Sequence, residues 1–156
     1  MTKKEIILNT TWDEFEMGTC RLFVDVLNQY IPVVFFQDHK PTPNISNKMV
    51  QSINDILALD ENELEIIKEM LHEAYLFASN TTGESNTSKE EVYEKSKVKE
   101  IHIDQDNDKF DGVYSEIIMT SISNHLISII VKDGKAMCYD NGTYFDLLEE
   151  DYSKNT

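Results

Sequence analysis

Residues Ser46–Ala78 read SNKMVQSINDILALDENELEIIKEMLHEAYLFA, and this stretch decides the fold. Met49, Val50, Ile53, Ile56 and Leu57 recur at three- and four-residue steps, which predicts one amphipathic helix. Ser46 or Asn47 can cap it by accepting an otherwise orphan amide. Pro41 and Pro43 favour extended backbone just upstream. A break falls near Leu59 and Asp60. Asp60 and Glu63 then have capping-box spacing and open a second helix. Leu64, Ile67, Leu71, Ala74, Tyr75 and Ala78 form its apolar stripe. Ile66, Met70 and Phe77 flank that stripe, so this helix is expected to be covered on most sides.

Strand signals lie on both sides of the pair. Upstream, residues 1–18 read as an edge strand or an irregular lead-in punctuated by Gly18. Cys20–Asn28 alternates, with Leu22, Val24 and Val26 on one face. Tyr30–Phe36 follows, and Asn28 and Gln29 supply a turn for a hairpin. Downstream comes a polar stretch, residues 79–97, read as a flexible insertion. Within it Ser88 and Glu91 can cap a short helix through Lys95, anchored by Val92 and Tyr93. Strands then follow around Val98–Ile103, Val113–Ile122 and His125–Val131. The last is apolar on both faces, as a covered strand is. Lys132-Asp133-Gly134-Lys135 is a hairpin turn, and Asp140-Asn141-Gly142 reads as another. Tyr144–Leu148 reads as a final short segment, and residues 150–156 as a frayed tail. The expected fold is α+β: one domain over residues 1–156, a mainly antiparallel sheet of about five to six strands, and a helix pair on one face.

Outside its apolar stripe the second helix carries Glu61, Glu65, Glu69 and Glu73 at four-residue steps. Like charges at that spacing oppose helix formation by roughly 0.2–0.5 kcal/mol per pair. Lys68 and His72 offset only part of this. The row serves either as a solvated, repulsive surface or as a docking face for a basic partner.

Composition narrows the classes further. Of 156 residues, 40% are hydrophobic, so a core can form, and the net charge is −15. Nucleic acids and anionic membranes both require basic patches, so neither is an expected partner. The longest apolar runs fall short of the ~20 residues of a spanning helix, and Ile6-Ile7-Leu8 is too short for a signal peptide. Cys20 and Cys138 therefore read as reduced thiols in a cytoplasmic protein.

Chemistry-bearing motifs are sparse. Asp104-x-Asp106-x-Asp108 has the alternate carboxylates of a calcium loop. The glycine of such a loop would fall at Lys109 and its glutamate at Ser115, so an acidic turn explains the same residues. His39, His72, His102 and His125 lack metal-pair spacing. His102 and Asp104 can share a strand face. No Gly-x-Ser-x-Gly elbow or phosphate loop is present, and no cofactor is implied. Trp12 with Phe15 reads as an interface anchor or as a cap on one end of the core.

The layout resembles small bacterial domains of the immunity-protein type, some encoded beside toxins. The resemblance is carried by Thr11-Trp12-Asp13 with Gly18, the strand pair, and the helix pair ending near Leu71–Tyr75. Asn124-His125-Leu126 and Lys132-Asp133-Gly134-Lys135 complete it. It implies no particular site residue. The expected function is a non-enzymatic, acidic protein-binding domain that blocks a basic partner, as an immunity or antitoxin-like protein does. The alternatives are a self-associating structural or regulatory module, whose homo-oligomer would form at a strand edge or its aromatic end, and a hydrolase with an unrecognised site.

Overall fold

Period-two burial in the strands and three- to four-residue spacing in the helices yield one sheet with helices packed on it. The computed structural model describes residues 1–36, 44–79, 86–104 and 111–141. Its elements are α1 (Lys3–Asn9), β1 (Thr11–Trp12), β2 (Gly18–Val24), β3 (Gln29–Phe36), α2 (Asn47–Leu57), α3 (Glu61–Ser79), α4 (Lys89–Lys95), β4 (Lys97–Asp104), β5 (Tyr114–Thr120), β6 (Leu126–Lys132) and β7 (Lys135–Asn141). The seven strands lie in the sheet in chain order. Each neighbouring pair is antiparallel except β3–β4, which is parallel with Val33 opposite Ile101. A parallel neighbour needs a long crossover, and α2, α3 and α4 supply it. The fold is α+β with a mostly antiparallel open sheet, as expected, and one of its strands is the two-residue β1.

One sheet face meets the helices. Cys20, Leu22 and Val24 of β2, Ile31, Val33 and Phe35 of β3, and Ile101 and Ile103 of β4 are buried there. Ile117 and Met119 of β5 and Ile127, Ile129 and Val131 of β6 continue the layer. Met49, Ile53 and Ile56 of α2 and Leu64, Ile67 and Leu71 of α3 close it from above. Each such side chain contributes roughly 1.5–3 kcal/mol when fully buried, which outweighs the repulsion along α3. The caps follow the sequence. Ser46 accepts the Met49 amide, Asp60 the Glu63 amide and Ser88 the Glu91 amide. The hairpin turn after β6 places Asp133 at φ 50° and Gly134 at φ 76°, the left-handed pair that a tight two-residue loop requires.

Four expectations change. The lead-in is a helix, because Thr2 and Glu5 form a reciprocal capping box. Only Thr11–Trp12 is strand there, and Trp12 packs against the core. Alternation stops at Val24: Val26 and Leu27 lie in a 3-10 turn over Asp25–Leu27, with Asn28 left-handed after it. Asp140 and Asn141 belong to β7 rather than to a turn. Finally, the ridge flanking the stripe of α3 is covered only at Met70, which packs against the core. Phe77 is 76% exposed and Ile66 36%, because the sheet and α4 meet α3 on other sides. Asp106, Asp108, Gly142, His39 and residues 80–85 and 142–156 lie outside the described residues.

Candidate functional site

Helix α3 sets out its charges according to what packs beside it. Glu63 points inward and is 6% exposed. Its Oε2 accepts the Ala136 amide at 2.7 Å, and Lys135 Nζ approaches Oε1 at 3.5 Å. The first turn of α3 is thereby pinned to the start of β7. This role was not evident from the sequence, where Glu63 read only as half of a capping box.

The four-step glutamates divide. Glu65 meets Lys89 of α4 at 2.8 Å and Lys68 at 3.1 Å, and Lys68 also reaches Glu90 at 3.0 Å. Hydrogen bonds from Lys89 and then Lys68 hold the Glu65 carboxyl below the ordinary range. Glu90 and Glu65 in turn push the Lys68 ammonium up, and Glu65 does the same to Lys89. Lys89 stands 4.0 Å from Glu69. Glu61 and Glu73 are exposed and have no ion-pair partner among the described residues. The row therefore presents Glu61, Glu69 and Glu73 outward, while Glu65 helps to dock α4. Two further bonds tie the entry of α4 to α3: His72 Nε2 lies 3.0 Å from the Thr87 carbonyl oxygen, and Tyr75 Oη lies 3.1 Å from Thr87 Oγ1.

An open cavity of about 550 Å³ lies at the C-terminal end of α3. Ala74, Ala78, Ile122, Leu126 and Ile127 give it apolar walls, and Ser121, Asn124 and His125 a polar rim.

The sheet face turned away from the helices holds a polar row. Glu100 Oε1 lies 2.6 Å from His102 Nε2, and His102 stands edge-on to the Phe36 ring. Across the ladder His102 is opposite Glu116, and Ser128 Oγ approaches Glu116 Oε2 at 3.4 Å. Glu116 and Ser128 are each 1% exposed, so neither meets a substrate from solvent. Alternation along β4 already puts positions 100 and 102 on one face, but only register brings positions 116 and 128 beside them, so sequence alone missed the row. Asp104 ends β4 on the same face. Among the described residues no three His, Cys, Asp or Glu side chains converge as metal ligands.

Cys20 is buried, and burial pushes its thiol up to about 11. Cys138 is half-buried, and neither cysteine is in a disulfide. Among the described residues no helix is long and apolar enough to cross a membrane. Comparison with protein-family models, curated protein sequences and solved structures finds no match for the chain.

Proposed function

We propose that this chain is a non-catalytic, acidic protein-binding domain that covers a basic partner, in the manner of an immunity or antitoxin-like protein. The observation that carries this reading is the outward row of Glu61, Glu69 and Glu73 on a domain of net charge −15. Such a surface raises the encounter rate with a cationic protein and repels nucleic acid and anionic lipid. The same reading places the protein in the cytoplasm, with Cys20 as a packing thiol.

The test is co-purification with the products of the adjacent genes, each coexpressed with this chain. A basic partner should elute with it at low salt. Replacing Glu61, Glu69 and Glu73 with Lys should then weaken the complex about tenfold or more. A complex indifferent to both the substitutions and salt would reject the row as the contact.

A further inference from the structure

The ridge that α3 leaves uncovered says what kind of partner segment fits. Ile66, Met70, Glu73 and Phe77 follow one another at steps of four, three and four residues, which is a single line along a helix. Glu69 and Leu76 stand three residues beyond Ile66 and Glu73, immediately beside that line. Ile66, Leu76 and Phe77 are exposed, Phe77 at 76%, and Met70, packed against the core on its inner side, is half-buried. The one Lys of α3, Lys68, is engaged with Glu65 and Glu90 toward α4. The outer face is therefore an apolar line with acidic residues set into it and no cation of its own helix on it.

We infer that this ridge is the seat of a cationic amphipathic helix of the partner. Its apolar side chains rest on Ile66, Met70 and Phe77, and its Lys or Arg side chains reach Glu69 and Glu73. Charge selects this occupant. A second copy of the chain would set Glu69 and Glu73 against the same residues and add like-charge repulsion to desolvation. A neutral helix would leave Glu73 unanswered and Glu69 with only the Lys89 ammonium at 4.0 Å. A cationic helix removes the repulsion between Glu69 and Glu73 and covers the exposed Phe77 ring in one step, by the helix-in-groove mode of recognition. This rests on the acidic-binding reading above and adds to it the site and the form of the bound segment.

The experiment titrates the full chain against two Leu/Lys peptides of about 18 residues, followed by fluorescence anisotropy. One carries Leu at i, i+3, i+4 and i+7. The other has the same composition with the Leu positions out of helical phase. The patterned peptide is expected to bind about tenfold tighter. That margin should vanish in Ile66→Ser/Phe77→Ser, whose melting temperature should hold because both side chains are exposed. Equal binding of the two peptides overturns the ridge and leaves the acidic surface standing. Binding of neither overturns both. Equilibrium sedimentation showing a dimer that Phe77→Ser dissolves also overturns the proposal, in favour of a second copy.

Discussion

The Glu63 carboxylate, in the first turn of α3, accepts the backbone amide of Ala136 at 2.7 Å, the second residue of β7 and 73 positions away in sequence. A buried acceptor here holds a backbone donor that would otherwise sit unsatisfied near the sheet's last strand. Helix and hairpin are fastened at one point. The same contact occupies a backbone donor of β7, which argues against β-strand addition there as a route to self-association.

Removing that acceptor leaves the part-buried Ala136 amide without its partner. Glu63→Ala should cost about 1–3 kcal/mol of unfolding free energy, and Glu63→Gln less, since an amide oxygen can still accept. Urea denaturation of the three proteins checks the order. Equal midpoints would remove Glu63 as a fastening.

Gly18 lies under the only tryptophan. A Cβ built there would stand 2.7 Å from Trp12 Cζ3 and 2.9 Å from Thr10 Cγ2. Gly18→Ala must therefore lift the indole or bend β2, at about 1–3 kcal/mol. Because the chain has one Trp, its emission reports the change directly. A red shift with a lowered melting temperature is expected; an unchanged spectrum would mean the ring moves freely.

The buried Cys20 thiol makes stability fall at high pH. In the unfolded chain it ionises near 9.0, and in the folded chain burial raises it to about 11. Between those values the unfolded state binds fewer protons, so unfolding free energy declines as pH rises. Below the lower value the thiol is neutral in both states and has no effect. Tyr and Lys ionise in the same window, so the measurement is the difference between wild type and Cys20→Ala. The wild type should show the steeper decline from pH 9 to 11, and its thiol should react slowly with a disulfide reagent until the chain unfolds.

Glu65 and Glu69 share a helix face but should respond differently to neutralisation. Glu65→Gln removes the carboxylate that Lys89 and Lys68 share, so α4 should loosen and its amides exchange faster. Glu69→Gln should leave α4 protected, because Lys89 is 4.0 Å away and bonds more closely to Glu65. Hydrogen exchange over Lys89–Lys95 separates the two. Identical protection would deny the lysine network its part in docking α4.

Much of the architecture was legible because local rules sufficed. Ser46, Asp60 and Ser88 sit where caps belong, the alternation of β2 marks its buried face, and Asp133-Gly134 names its own turn. In the lead-in an edge strand is present at Thr11–Trp12, but the helix before it is not in the sequence reading although its signal, Thr2 followed by Glu5, is local. Val26 and Leu27 extend the alternation of β2, yet the chain turns beneath them, since hydrophobic pattern does not mark where a strand stops. The candidate site was half legible. The glutamate spacing is local, but which rungs face outward depends on Lys89, which arrives from another helix.

The amino-acid order by itself determined the amphipathic helices, the strand-forming segments, the excess of negative charge and the α+β class, because propensity, period and capping act within a few residues. Tertiary structure alone decided that β3 runs parallel to β4, that Glu63 reaches Ala136, that His102 faces Glu116 and that Phe77 stands uncovered. Each of these depends on which distant surfaces meet. Packing settles that by burying the greatest apolar area with its polar groups satisfied, and no short window of sequence contains both sides of such a contact.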